Sequence, residues 1–168
     1  NPAFLWGEFS KEGWWYYFIA AFLVKTPLVT IILLITSLLF WRKLKHSDIV
    51  NEYFLIIPAV LYFIAFMLNE INIGVRHILP IYPFIFVFVS KLANVKFTTP
   101  KKEKLWQWLL AIFLGWYILS SILVYPHYSE YFNELVGGPN NGQKYLLDSN
   151  IDWGQDTRLL YEWLRENN

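Results

Sequence analysis

The chain has 168 residues, 56% hydrophobic, 20% aromatic and only 16% charged, with a formal net charge of +1 and no cysteine. Soluble domains are about one-quarter charged, so this apolar excess exceeds what a water-exposed core needs. The near-neutral balance argues against nucleic acid as a partner, and the missing thiols exclude disulfides, thiolate metal sites and cysteine nucleophiles.

Asn1 to Gly13 reads as an outer loop, with no initiator Met and no signal pattern ahead of it, so the chain is expected to continue a longer protein. A helix crosses the hydrocarbon core with about 20 apolar residues. Four stretches approach that length, at 14–40, 53–68, 74–92 and 105–125. The apolar parts of the second and third are short, which places their ends in protein-lined or wet cavities. Trp14, Trp15, Tyr16, Tyr17, Trp41, Trp106 and Trp108 suit the headgroup layer.

Lys and Arg of short loops stay cytoplasmic. Arg42, Lys43 and Lys45 follow the first span, and Lys91, Lys96, Lys101, Lys102 and Lys104 follow the third. The loop at 69–77 holds one arginine, and the segment after span four is acidic. Alternation of the two loop types fits an even number of crossings. The expected fold is an all-α integral membrane bundle of about four transmembrane helices, residues 1–125, in contact with membrane lipids. Residues 126–168 are expected to be a small exoplasmic α or α/β segment: an interfacial helix and the start of a soluble domain.

Lys25 lies inside the first span, where a charge costs about 2.5–3.5 kcal/mol on insertion scales. It either finds a partner or snorkels to the outer headgroups. Pro27 has no N–H for the carbonyl of Leu23, so a kink and a free acceptor are expected beside the lysine. Arg76 and His77 precede the third span, and Pro80 fits a first helical turn. A helix start near His77 would offer N–H groups and a positive dipole end to a phosphate, with Arg76 gripping two oxygens. The alternatives are a rim arginine paired to headgroups or to Glu70, and a packing role for His77.

Between Tyr125 and Leu135, apolar side chains at 125, 128, 131, 132 and 135 have helical spacing, which suits an interfacial helix or one packed on the bundle. Gly137 to Gly142 reads as a loop, and Tyr145-Leu146-Leu147 as a short strand. Asp148, Asn150 and Asp152 alternate oxygen side chains that could ligate a divalent cation. Trp153 and Leu159 stand where an EF-hand needs glycine and glutamate, so no metal site is assigned. Turn chemistry accounts for much of the run, with Asp156 as N-cap of a final helix carrying Leu159, Leu160, Trp163 and Leu164.

Several segments in order resemble a known family: Gly7-Glu8-Phe9-Ser10, Gly13-Trp14-Trp15-Tyr16-Tyr17-Phe18, Lys25-Thr26-Pro27, Asn72-Ile73-Gly74-Val75-Arg76-His77-Ile78-Leu79-Pro80-Ile81-Tyr82-Pro83, Tyr125-Pro126-His127-Tyr128, Tyr131-Phe132-Asn133-Glu134, and Asp148 through Asp156. They are similar to the C-terminal half of bacterial membrane glycosyltransferases of family 39, the dolichyl-phosphate-mannose protein mannosyltransferase-like group with the GT-C fold. The resemblance implies transfer of a sugar from a polyprenyl-phosphate donor to an exoplasmic acceptor, in the bacterial inner membrane. It implies a catalytic carboxylate in a loop ahead of residue 1, and therefore no catalytic residue in this chain. Arg76, His77 and Lys25 are the expected donor-phosphate ligands. Asp148, Asn150, Asp152 and Asp156 are expected to shape the acceptor side, with no cofactor beyond an optional divalent cation. Two rival readings are a transporter or flippase that binds anions among proline-broken helices, and a non-catalytic anchor for an outer domain.

Overall fold

The computed structural model describes residues 2–44, 49–69, 72, 74–154 and 156–167. Lys45, Glu70 and Gln155 lie outside the described residues. The chain is mostly helical, and three helical stretches are long and apolar enough to cross a membrane: Val50–Met67, Val75–Asn94 and Pro100–Leu123. A bent pair of helices makes up to four.

The N-terminus forms a hairpin, β1 (Ala3–Leu5) against β2 (Glu8–Ser10), with Phe4 opposite Phe9. Trp6 and Gly7 turn it with φ of 50° and 90°, the pair of positive values that a two-residue type I′ turn demands. Ala3 and Leu5 face inward and are buried. The Trp6 N–H donates to the Tyr145 carbonyl at 3.0 Å, which ties the hairpin to the distant tail.

The expected first span is two helices, α1 (Tyr17–Lys25) and α2 (Leu28–Leu39), set at 110°. This corrects the single kinked helix over 14–40. Pro27 cannot donate to the previous turn, and the residue before a proline avoids the helical region; Thr26 is accordingly extended at φ −81°, ψ 134°. Helix α1 is buried nearly all round, through Tyr17, Phe18, Ala20, Ala21 and Val24. Two adjacent alanines let neighbouring backbone come close, and α1 is the centre of the larger core, with Ile78, Ile81, Phe132 and Leu146.

Helix α3 (Ile49–Met67) keeps much of its apolar side-chain surface exposed. The third span starts as a 3₁₀ run, Val75–Ile81, continues as α4 (Tyr82–Ser90) and ends in a turn at Lys91–Asn94. Seven residues of 3₁₀ helix are unusually many, and Pro80 and Pro83 remove donors that an α-helix would need there. Helix α5 (Pro100–Leu123) has Pro at its start and 24 residues, about 36 Å of helix and enough for a full crossing.

Two cores mark two ends. The second one gathers Leu44, Phe88, Leu92, Val95 and Trp106, with Phe40 stacked on Trp106 at 5.2 Å and Glu52 paired to Lys91. The basic loops after the first and third spans therefore meet at one end, and residues 74–76 meet the tail at the other.

The tail departs from expectation. Residues 125–135 form no α-helix; short 3₁₀ turns at Tyr128–Glu130 and Glu134–Val136 flank a stretch threaded into the bundle, with Phe132 and Asn133 buried. Pro126 breaks the helical register that the apolar spacing suggested. Leu146 is buried, but 145–147 pairs with no strand; the preceding Pro139–Lys144 is a 3₁₀ run. Gly142 is required there, since a Cβ would lie 2.2 Å from the Phe132 ring. The last helix, α6 (Thr157–Asn167), follows Asp156 as expected and buries none of its side chains.

Candidate functional site

The break after α1 leaves backbone carbonyls without their helical donors, and the tail supplies them. Asn133 donates from Nδ2 to the Leu23 carbonyl at 2.6 Å and to the Thr26 carbonyl at 2.9 Å. Its own N–H reaches the Val24 carbonyl at 2.9 Å. The free acceptor expected beside Pro27 is thus real, and a residue 110 positions downstream fills it.

Lys25 turns inward rather than snorkelling. Its Nζ donates to the Ser129 carbonyl at 2.7 Å and to the Asn150 carbonyl, and sits 4.2 Å from the centre of the Phe132 ring. Two carbonyl dipoles and a ring face replace the water that this ammonium has lost. Asn150 is a second joint. Its Oδ1 accepts from the Val75 N–H at 3.0 Å, and its Nδ2 donates to Tyr17 Oη at 2.9 Å and to the Leu147 carbonyl at 3.1 Å.

These joints enclose a cavity of about 440 Å³ between the start of the third span, the end of α5 and the tail. Lys25 and Arg76 both line it, along with Tyr82, Tyr117, Tyr131, Ser120, Ser149 and Trp153. Leu79, Phe86 and Val124 give it an apolar wall. Arg76 is exposed and lies over the Trp153 ring, 5.4 Å from its centre. Tyr82 Oη shares a hydrogen bond with Thr26 Oγ1 at 2.7 Å.

Of the three expected phosphate ligands, the structure brings Arg76 and Lys25 to one cavity. His77 points elsewhere: its ring stacks on Phe66 at 5.6 Å and meets Phe18 edge-on at 6.5 Å, and its Nε2 accepts a long contact of 3.5 Å from Arg76 Nε. No helix start cradles an anion at His77. The Val75 N–H is already taken by Asn150, and regular α-helix begins only at Tyr82.

The acidic run separates in the same way. Asp148 is exposed at φ 58°, a conformation asparagine and aspartate tolerate in turns. Asp152 Oδ1 accepts from the Gly154 N–H at 2.6 Å in an Asx turn. With Asn150 buried and its side chain committed, residues 148, 150 and 152 do not converge on one cation. Asp156 instead faces His127: Nδ1 lies 3.4 Å from its Oδ2 and 3.6 Å from Glu130 Oε1. These three ligand atoms lie within 4.8 Å of one another, the one such group among the described residues. Their spacing, unlike that of residues 148, 150 and 152, is short enough to share a metal ion. The His-x-x-Glu spacing at 127 and 130 was the available sequence signal, although Asp156 lies too far along the chain to be joined to it by spacing.

Sequence reasoning also passed over Asn133 and the phenols of Tyr82, Tyr117 and Tyr131. Burial of the Tyr131 hydroxyl, then the Glu134 carboxylate and the two neighbouring phenols, hold that phenol above its ordinary pKa and so protonated. Comparison with family models, curated proteins and solved structures finds no match to this chain.

Proposed function

We propose that this chain is the C-terminal part of a bacterial inner-membrane glycosyltransferase, moving a sugar from a polyprenyl-phosphate donor to an exoplasmic acceptor. The observation that carries this reading is a single cavity that holds Arg76 and Lys25 beside an apolar wall. A polyprenyl phosphate needs both, a cation for its head and hydrocarbon for its tail.

In the transfer, the bond from the anomeric carbon to the donor phosphate oxygen breaks and its electrons stay with the phosphate. The acceptor oxygen bonds to that carbon and gives its proton to a base, a role proposed for no residue of this chain. Arg76, with free N–H groups in a planar fork, offsets the charge that grows on the leaving phosphate. Lys25 commits N–H groups to Ser129 and Asn150, so it adds field and holds the wall. The rival transporter reading draws on the 110° break between α1 and α2, a feature of helices that line solute paths, and it requires movement without a covalent product.

The test is turnover of polyprenyl-phosphate-sugar donors by the full-length membrane protein, wild type against Arg76→Ala. A loss of about 100-fold in kcat is expected when one charge-stabilising donor is removed. Undiminished sugar transfer in the variant would remove Arg76 from the mechanism, and substrate crossing the membrane with no covalent product would favour transport.

A further inference from the structure

Outside the cavity, one cluster of side chains joins two distant parts of the tail and takes no part in the proposed transfer. His127 opens the turn at Tyr128–Glu130. Residues three apart in a 3₁₀ turn stand one above the other, so His127 and Glu130 share a face. Asp156 arrives from the far end of the chain, just ahead of α6. The imidazole Nδ1 faces both carboxylates, 3.4 Å from Asp156 Oδ2 and 3.6 Å from Glu130 Oε1, and all three atoms fall within 4.8 Å of one another.

These separations distinguish two kinds of contact. A direct N–H···O bond brings nitrogen and oxygen to about 2.7–3.2 Å, closer than either carboxylate stands. Metal bonds of about 2.0–2.2 Å, set at tetrahedral angles, hold their ligand atoms about 3.3–3.6 Å apart, and both distances fall in that range. With its proton on Nε2, the ring presents a lone pair at Nδ1. One imidazole nitrogen with two carboxylate oxygens is a zinc donor set, whereas calcium and magnesium take oxygen ligands. The two carboxylates offset the charge of a divalent ion, and three protein ligands leave the fourth tetrahedral position to water. A metal here would also have something to hold: α6 buries none of its side chains, so packing does little to fix its start. The turn it would be tied to lies against the 148–150 turn and gives the Ser129 carbonyl to Lys25.

We infer that His127 Nδ1, Glu130 Oε1 and Asp156 Oδ2 form a structural zinc site that clamps the start of α6 to the turn at 128–130. The site stands apart from the glycosyltransferase reading and does not depend on it.

The experiment uses the full chain, free of affinity tags, in lipid nanodiscs, stripped with a chelator and equilibrated with Zn²⁺, with bound metal counted by elemental analysis. Wild type should take up one Zn²⁺ per chain. Loss of a residue that merely supports a zinc ligand costs about 10–100-fold in affinity, so His127→Ala, Glu130→Gln and Asp156→Asn should each weaken binding about 100-fold. Asp152→Asn, which alters a carboxylate of the neighbouring turn, should bind as wild type does. Glu130→Gln keeps the shape of the side chain and decides the matter if His127→Ala fails to fold. At Zn²⁺ ten times its Kd, tryptic cleavage after Arg158 should slow about tenfold in wild type, since an ion bound only to the closed form depletes the open one in that proportion. It should not slow in Glu130→Gln. No Zn²⁺ uptake by wild type, equal affinity in the three site variants, or an equal loss in Asp152→Asn would overturn the site. Zinc that binds through these residues and leaves cleavage after Arg158 unchanged would overturn the clamp.

Discussion

Asn133 shows how one side chain can carry a fold. Its amide and its own N–H occupy the carbonyls of Leu23, Val24 and Thr26, all freed by the interruption at Pro27. Asn133→Ala leaves two of them buried without donors, and each such loss costs about 1–3 kcal/mol. A destabilisation of about 2–4 kcal/mol is expected on that basis, read as a lowered midpoint in thermal or denaturant unfolding in detergent. Asn133→Asp should be worse, since it aims a carboxylate at the same two oxygens. A variant as stable as wild type would mean that the carbonyls find other partners. Pro27 made the free acceptor legible, because the missing N–H is a property of one residue. Its partner was not legible, since nothing local to Tyr131-Phe132-Asn133 marks it as the far side of a gap in α1. Lys25 was ambiguous for a related reason: both snorkelling and inward pairing satisfy an ammonium, and only the fold decides between them.

Among the elements, one close joint lies where the third span begins. Gly74 has an extended backbone that any residue adopts, but a Cβ there would stand 2.6 Å from Ser149 Oγ. The requirement for glycine is therefore a close approach by the 148–150 turn, which also gives Asn150 to the Val75 N–H. Gly74→Ala should cost about 1 kcal/mol or more by overpacking and loosen the wall beneath Arg76. Ser149→Ala, which deletes the offending oxygen, should restore most of that loss in the double variant. A double variant no better than Gly74→Ala alone would place the strain elsewhere. Elements with a single strong signal were read well: the 24 residues of α5 and the final helix after Asp156. The segment 125–135 was misread because helical spacing of apolar residues also arises when a chain alternates between burying and exposing them; here Phe132 is buried while Tyr125, Tyr128 and Leu135 are exposed. The expected span at 74–92 coincides with a helical stretch over Val75–Asn94, but its 3₁₀ start was not foreseen, since two prolines set the local hydrogen bonding more firmly than hydropathy does.

Across the whole molecule, the distribution of charge and the packing agree on two ends. Arg42 and Lys43 follow α2, and Lys91, Lys96 and Lys101 lie between α4 and the body of α5; the aromatic cluster of Phe40, Phe97 and Trp106 binds these two loops together. Arg76, Trp153 and the joints at Asn133 and Asn150 sit at the other end. If basic loops are retained in the cytoplasm, the cavity opens on the exoplasmic side, as the proposed function requires. The sequence contains no cysteine, so single introduced thiols report their side without background. Asn69→Cys and Gln143→Cys, at exposed positions of the cavity end, should react with a membrane-impermeant maleimide on intact cells. Lys101→Cys, exposed at the basic end, should react only after permeabilisation. Labelling of positions 69 and 143 from opposite sides would pull apart the two loops that Asn150 joins, and no cavity shared by Arg76 and Lys25 could then exist.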